Sequence, residues 1–346
     1  MDSILKKYSS KRHYASNSKG RYSSLKNTIK QTTKEIIPIF FATDDNYAPY
    51  LAVSLNSLIC HASKKYDYHI NILIETLSDN NMRKLQNMVS ETENVKLKFV
   101  SVTHRLRAIC ERLHMRDYYT KATYYRFFIP AMFPEYDRGL YLDCDIAITD
   151  DVAKLYHCHL GNNLVAAIPD EIITDINVFG LYSEKVLGIP RNEYFNAGIL
   201  VMNLAEMRRV NIEKQFSELL ALRTYRVAQD QDYLNVLCYG KTTLIGKKWN
   251  KTPLPDSNPY ILPKIAHYKI NFKPWKFDGV IYGDLFWKYA EGTAFYNSLL
   301  EAKNAYTEEE RARDRKQYES LVALAMEEIS DYSFELSSNA LALAGI

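Results

Sequence analysis

Arg138-Gly-Leu-Tyr-Leu-Asp-Cys-Asp-Ile-Ala-Ile-Thr-Asp150 is the most informative segment of this chain. Its apolar run, 140–142, is typical of a buried strand and ends on two carboxylates, Asp143 and Asp145. Residues two apart in an extended backbone point to the same side, so both acids can hold one ion while Cys144 faces away. Because two close carboxylates repel each other without a cation between them, and oxygen ligands suit Mg²⁺ or Mn²⁺, the segment predicts a metal site. The alternative is a strand that ends in an ordinary polar turn.

The composition indicates a globular α/β protein. A chain of 346 residues can form one large domain or two small ones, and 47% hydrophobic residues is ordinary for such a protein. The net charge of +3 is too small to argue for nucleic-acid binding. The five cysteines form no Cys-x-x-Cys pair, so neither a disulfide framework nor a zinc cluster is indicated, and a reducing, cytoplasmic setting is expected.

The N-terminal region differs from the rest of the chain in charge. Residues 1–34 carry nine basic side chains and one acidic one, without hydrophobic periodicity. We interpret residues 1–35 as a flexible basic arm, which is either a solvated tail or a peripheral contact with the inner, anionic face of a membrane. No apolar run approaches the roughly 18 residues of a membrane span, and no apolar core follows the arm as in a secretory signal.

A β-α-β-α-β order follows the arm. Apolar runs at 36–42, 69–74 and 95–100 predict strands, and helical spacing lies between them. This order implies a mostly parallel sheet with helices on both faces and ligands at the carboxyl ends of the strands. Asp44, Asp45 and Asn46 follow the first strand, as Asp143 and Asp145 follow a later one.

The loop after the first strand excludes two common nucleotide sites. No Gly-x-Gly-x-x-Gly fingerprint and no phosphate-binding P-loop occurs there. An acidic loop repels a bare diphosphate but can accept hydrogen bonds from a base or a ribose hydroxyl. The pattern therefore favours a nucleotide-sugar site over a dehydrogenase or a kinase.

The remaining elements are predicted from weaker hydrophobic patterns. Residues 118–129 are expected to be helical and to carry Arg126, with Pro130 and Pro134 where that helix ends. Residues 171–193 are predicted to be a loop with a short helix. The other predictions are strands at 163–168 and within 194–203, helices at 212–225 and 233–239, and one or two surface helices after Asp284.

The order of short motifs resembles glycosyltransferase family 8, the retaining enzymes that include bacterial lipopolysaccharide α-galactosyl- and α-glucosyltransferases. The similarity runs from about residue 37 to 275, and each motif is weak alone. The six motifs are Phe41-Ala-Thr-Asp-Asp-Asn-Tyr47, Thr123-Tyr-Tyr-Arg126, Leu140-Tyr-Leu-Asp-Cys-Asp145, Tyr194-Phe-Asn-Ala-Gly198, Asp230-Gln-Asp232, and His267 with Lys273-Pro-Trp275.

The resemblance implies a role for each matching residue. Asp44 and Asn46 would hold uridine, and Arg126 would contact the donor sugar or phosphate. A lone histidine is ordinarily structural, but its motif makes His267 a metal ligand together with Asp143 and Asp145. Lys273 would neutralise the diphosphate. The residues implied around the donor are Asp170, Asn196, Asp230 and Gln231, with Cys144 and Ala197 also counted among the cofactor-binding residues.

One departure from the family pattern lies in the segment from His267 to Trp275, which the resemblance assigns to the metal and the phosphates and which we call the phosphate loop. The family has glycine three residues after the histidine, where this chain has Ile270. Because isoleucine restricts φ, we expect the loop to sit differently or to bind UDP less tightly. The stretch between Gln231 and His267 is also short for the subgroup that transfers to lactose ends, which leaves the acceptor open.

The resemblance implies a GT-A type, Rossmann-like domain over residues 36–284 and a C-terminal helical extension over 285–346. The expected reaction moves galactose or glucose from a UDP-sugar to a hydroxyl of a glycan, glycolipid or glycoprotein, with Mn²⁺ or Mg²⁺ as cofactor. Since Gln231 is a poor nucleophile, we favour front-face attack over a covalent intermediate on Asp230 or Asp170. The alternatives are a glycogenin-like enzyme that glucosylates protein or itself, on tyrosines such as Tyr8, Tyr14 and Tyr22, and a non-catalytic nucleotide-sugar binding module.

Overall fold

The computed structural model describes residues 34–107, 121–255, 260 and 262–344. The proposed basic arm, with Tyr8, Tyr14 and Tyr22, lies outside the described residues except for its last two positions. Residues 118–120 of the expected helix also lie outside them.

Nine strands occur in the described part of the chain, seven of them in one sheet of order β3-β2-β1-β4-β7-β6-β8 and two in a separate ribbon, β5-β9. They are β1 (Glu35–Ala42), β2 (Tyr66–Ile74), β3 (Val95–Ser101), β4 (Gly139–Leu142), β5 (Ile146–Ile148), β6 (Val165–Pro169), β7 (Phe195–Met202), β8 (Thr242–Leu244) and β9 (Ile265–His267).

The helices connect and cover these strands. They are α1 (Ala48–His61), α2 (Asp79–Asn87), α3 (Thr103–Arg107), α4 (Ile129–Met132), α5 (Ala153–Tyr156), α6 (Glu171–Asp175), α7 (Asn177–Lys185), α8 (Leu204–Arg209), α9 (Ile212–Leu222), α10 (Asp230–Cys238), α11 (Gly283–Ala290), α12 (Tyr296–Ala305) and α13 (Glu308–Ala344). Two 3₁₀ helices span Lys121–Phe127 and Lys247–Trp249. No helix of the described residues is both long enough and apolar enough to cross a membrane.

The parallel core of the sheet forms as the sequence predicts. β1 pairs in parallel with β2 and β4, and β2 with β3. Alternate residues of β1 enter two separate apolar clusters, Ile39 and Phe41 on one face and Phe40 on the other. Each fully buried side chain of this kind contributes about 1.5–3 kcal/mol relative to exposure. The prediction of a strand buried on both faces and of a mostly parallel sheet is therefore confirmed.

One strand runs against the others. β7 pairs antiparallel with both β4 and β6, while β6 and β8 are parallel. In the β4–β7 ladder Leu142 lies opposite Ile199, and the Asp143 amide then donates to the Gly198 carbonyl at 2.7 Å. This pairing fixes the Tyr194–Gly198 segment beside the acidic end of β4.

The short ribbon joins distant parts of the chain. β5 pairs antiparallel with β9, so that Ile146 lies opposite His267. The Tyr268 amide donates to the Asp145 carbonyl at 2.9 Å just beyond that pair. His267 therefore reaches the two aspartates although 122 positions separate it from Asp145.

Three predicted elements need correction. Pro130 lies in the first turn of α4, where its missing N–H is not needed, so it begins a helix instead of ending one. Residues 171–193 contain two helices, α6 and α7; α6 has only five residues, and the buried positions of α7 include Gly180 and Ser183, so neither shows a clear apolar stripe. The region after Asp284 has three helices instead of one or two, and α13 packs against α7, so it is not purely a surface helix.

Candidate active site

A deep cleft opens at the carboxyl edge of the sheet, with an empty volume of about 1160 Å³ including its mouth. Twelve of the thirteen residues that the sequence singled out line it, which are Asp44, Arg126, Asp143, Cys144, Asp145, Asp170, Asn196, Ala197, Asp230, Gln231, His267 and Lys273. Asn46 is the exception: it is exposed in the turn after β1 and is not one of the described lining residues. Asn46 therefore has no described contact with the cleft that would support its proposed role in binding uridine.

Asp143, Asp145 and His267 converge in the cleft. Each offers one ligand atom, and these atoms all lie within 4.8 Å of one another. Cys144 faces away from them, as expected, and its thiol donates to the Ala42 carbonyl at 3.1 Å. Two carboxylates and one imidazole form a donor set that fits Mn²⁺ or a similar divalent cation.

Gly198 lies directly under this cluster. A Cβ added at this position would meet His267 Cε1 at 2.5 Å and Asp143 Cγ at 3.0 Å, with Asp143 Oδ2 nearer still. The glycine therefore leaves the space that the carboxylate and the imidazole occupy.

Asn250 orients the His267 ring. Its Oδ1 accepts from His267 Nδ1 at 2.9 Å, and its Nδ2 donates to Asn196 Oδ1 at 2.8 Å. Because an amide oxygen cannot donate, Nδ1 carries a proton, and this bond turns Nε2 toward the carboxylates, 3.2 Å from Asp145 Oδ1. Such an outer hydrogen bond fixes both the tautomer and the direction of a metal-binding histidine.

Two buried cations balance the acidic cluster. Lys273 Nζ lies 3.0 Å from Asp145 Oδ2, and Arg126 Nη2 lies 3.3 Å from Asp143 Oδ1. Burial acts to raise the pKa of Asp145, but Lys273 and His267 outweigh it and hold that pKa well below its usual range. The Arg126 guanidinium also donates to the Ala197 carbonyl and lies 4.3 Å above the Tyr141 ring centre.

Asp170 is the centre of a second polar group. Its Oδ1 accepts from the Ile172 amide at 2.8 Å and from Lys269 Nζ at 3.2 Å. Its Oδ2 accepts from Asn196 Nδ2 at 2.9 Å and from Gln231 Nε2 at 3.2 Å. Burial would raise the pKa of Asp170, but Lys269 and these hydrogen bonds lower it overall.

The two acids of the Asp230-Gln-Asp232 motif have different surroundings. Asp230 lies in the cleft, 3.2 Å from Arg126 Nε, and burial raises its pKa to about 6 despite that pairing. Asp232 points away and accepts from Tyr194 Oη at 2.6 Å, Tyr182 Oη at 2.9 Å and the Ala228 amide at 2.9 Å. Asp232 therefore anchors α10 and is not part of the cleft.

The phosphate loop keeps the backbone that a glycine would adopt. Ile270 has φ of 50°, in the left-handed region that is costly for a β-branched residue. Ile270 thus adopts a backbone conformation that glycine adopts at no steric cost, and it lines the cleft; a displaced loop or weaker UDP binding stays a prediction.

Sequence reasoning missed Asn250, Lys269 and Leu321. Asn250 and Lys269 contact residues far away in the sequence, so no local pattern marks them. Leu321 belongs to the charged helix α13 and nevertheless lines the cleft.

Comparison with known proteins identifies the family. The model of "Glycosyl transferase family 8" matches residues 38–279, which is more than two thirds of the chain. This chain belongs to glycosyltransferase family 8. The match agrees with the extent of the resemblance found in the sequence.

Individual relatives agree with this membership. A putative glycosyltransferase of Haemophilus influenzae is 31% identical over 221 residues, which span 62% of this chain and 63%, less than two thirds, of that protein. The lipopolysaccharide 1,2-glucosyltransferase of Escherichia coli is 25% identical over 263 residues, 70% of this chain and 74% of its own. The crystal structure of the galactosyltransferase LgtC with donor and acceptor sugar analogues superposes with a TM-score of 0.63 at 26% identity, covering 75% of this chain and 96% of LgtC. The GT-A type fold follows from these findings.

Proposed function

We propose that this protein is a metal-dependent, retaining hexosyltransferase that moves galactose or glucose from a UDP-sugar to an acceptor hydroxyl of a cell-surface glycan or lipopolysaccharide core. The observation that carries the proposal is the cluster of Asp143, Asp145 and His267 with Lys273, in one cleft with Asp170 and Gln231. The names of the E. coli and LgtC relatives support the hexose and the glycan acceptor.

The metal cluster and Lys273 are placed to stabilise the negative charge of the UDP leaving group. Asp143, Asp145 and His267 would hold a divalent cation, which would supply positive charge to the diphosphate of the leaving group. Lys273 is already placed beside Asp145 and adds a second, fixed positive charge. Arg126 holds Asp143 and Asp230 in position from the other side of the cluster.

The donor sugar fits beside Asp170 and Gln231. Gln231 Oε1 accepts from Asn196 Nδ2 at 2.9 Å and from the Ala197 amide at 3.0 Å, so the amide is fixed at the floor of the cleft. A buried carboxylate and amide of this kind can exchange hydrogen bonds with sugar hydroxyls and reject the wrong epimer.

Front-face attack is the mechanism that this arrangement favours. The acceptor oxygen bonds to the anomeric carbon, the bond from that carbon to the UDP oxygen breaks with its electron pair leaving on UDP, and the acceptor proton passes to a diphosphate oxygen. Asp170 accepts four hydrogen bonds, which weakens it as a nucleophile. Asp230 is paired with Arg126. A covalent intermediate on either carboxylate is therefore less favourable than direct transfer.

The test is a UDP-release assay with Mn²⁺ across UDP-glucose, UDP-galactose, UDP-N-acetylglucosamine and UDP-glucuronate. We expect slow release from UDP-glucose or UDP-galactose, abolished by EDTA and by Asp145→Ala. Asp137→Ala is the matched control, because its side chain is 87% exposed just before β4, at the end remote from the cluster. UDP binding by calorimetry without release from any donor would favour the non-catalytic module.

Peripheral membrane contact through residues 1–34 is the remaining part of the proposal, supported by their excess of positive charge. We expect the full chain to sediment with anionic vesicles and a chain lacking residues 1–34 to remain in the supernatant. Equal sedimentation of both would contradict the contact.

A further inference from the structure

The cleft has an apolar end beyond the polar groups. Past Asp170, its walls come from α6, α7, the loop before α10, the phosphate loop and α13. The apolar side chains there are Ile172, Ile173, Phe179, Val227, Ile270 and Leu321. The first four belong to one hydrophobic cluster, separate from the two that cover the faces of the sheet, and Ile270 and Leu321 pack against it.

Helix α13 is fixed across this end of the cleft. Arg226, in the loop before α10, pairs with Glu327 at 3.1 Å and also with Glu328. Lys276, just after the phosphate loop, pairs with Asp314 at 2.9 Å. Because these ion pairs hold α13 against loops on both sides of the cleft, Leu321 has a fixed position in the cleft wall.

The place of the apolar end in the cleft indicates that the acceptor binds there, an inference that rests on the proposed function. The nucleotide end holds Asp44 and the metal cluster, and the sugar lies at Asp170 and Gln231. The acceptor hydroxyl must approach the sugar from the space that remains. We propose that the acceptor subsite is this apolar end, and that the acceptor presents an apolar group beside its reacting hydroxyl.

The chemistry of the wall selects against a wholly polar acceptor. Among the described residues lining this end, Lys269 is charged and is committed to Asp170 at 3.2 Å. Sugar hydroxyls facing isoleucine, leucine and phenylalanine lose their hydrogen bonds to water without replacement. The methyl group of a 6-deoxyhexose, or an aryl or alkyl aglycone, gains contact with the same wall.

The experiment compares two matched acceptor pairs with the donor that the enzyme hydrolyses. One pair is a phenyl and a methyl β-glycoside of the same hexose, and the other is a methyl 6-deoxyhexoside and its parent methyl hexoside. The rate of UDP release without acceptor is subtracted from the rate with acceptor. We expect the resulting kcat/KM to be about tenfold higher for the apolar member of at least one pair. The first pair detects an aglycone and the second a deoxysugar.

Variants of α13 connect that preference to the wall. Leu321→Ser is expected to reduce the ratio of the two kcat/KM values several-fold, and Leu321→Met to retain it. Met326→Ser is the control, because Met326 is 60% exposed on the same helix. The ratio does not depend on the fraction of folded enzyme, so loss of stability cannot imitate the effect.

The outcomes separate the two proposals. Equal rates within both pairs, no rate above hydrolysis with any acceptor, or an unchanged ratio in Leu321→Ser overturns the apolar subsite while leaving the transferase proposal standing. Absence of UDP release from every donor without acceptor overturns the proposed function and this inference with it.

Discussion

Replacing Gly198 with alanine tests whether the glycine keeps space for the metal cluster. The backbone of Gly198 lies outside the left-handed region, so alanine can adopt it without strain. The new Cβ would lie 2.5 Å from His267 Cε1, whereas ordinary contact begins near 3.4 Å, so the ring must retreat by about 0.9 Å. Asp143 must move as well, because its carboxylate meets the same methyl group.

The displacement sets the expected size of the effect. A misplacement of about 1 Å at a reacting site can reduce turnover about 10²-fold. Disturbed orientation of a ligand costs about 10–100-fold in metal affinity. We therefore expect Gly198→Ala to bind Mn²⁺ at least tenfold more weakly by calorimetry and to lose most UDP release.

Gly246→Ala is the matched control for this substitution. Its Cβ meets nothing within 4 Å, and its φ of −65° suits alanine. Thermal unfolding of both variants separates loss of metal from loss of fold. Wild-type Mn²⁺ affinity and UDP release in folded Gly198→Ala would refute the steric reasoning.

Three further predictions concern the surroundings of the cleft. Asn250→Ala frees the His267 ring, so calorimetric Mn²⁺ affinity should fall about tenfold, whereas the exposed-site control Asn80→Ala should leave it unchanged; equal affinities would contradict an orienting role. Burial raises the pKa of Asp232 from 3.8 to about 6, so the folded protein holds that proton more tightly, and its contribution to the free energy of unfolding should fall by about 2 kcal/mol as the pH rises from 4 to 7. Urea titrations of Asp232→Asn should show a flatter profile than wild type over that interval, and parallel profiles would be contrary evidence. Ile270→Gly should be about 1 kcal/mol more stable than Ile270→Ala in the same titration, because only glycine relieves the left-handed φ; equal stabilities would show that the backbone there is not strained.

The sequence predicts the parts of the fold that depend on local pattern. The buried strand β1 and the paired orientation of Asp143 and Asp145 follow from apolar runs and the two-residue repeat of a strand. The two helices α6 and α7 were not predicted, because α6 has only five residues and the buried positions of α7 include Gly180 and Ser183, which weakens the apolar pattern.

The rest of the site depends on pairings that no local pattern encodes. His267 joins the aspartates through the β5–β9 ribbon, and only the family resemblance pointed to it. Asn250 reaches His267 by a side-chain hydrogen bond across a loop. Leu321 lies in a helix whose charged sequence is typical of a solvated surface. Its place in the cleft follows from the ion pairs of α13 with Arg226 and Lys276.

Asp170 links the beginning of a helix to the end of the cleft where we propose that the sugar binds, and this limits how the site can diverge in evolution. Its Oδ1 caps α6, while its Oδ2 holds Asn196 and Gln231. A substitution at this position that altered sugar choice would also release the first turn of α6, at a cost of about 1 kcal/mol. Gln231 caps no helix, so a lineage can change its donor through that residue with less loss of stability.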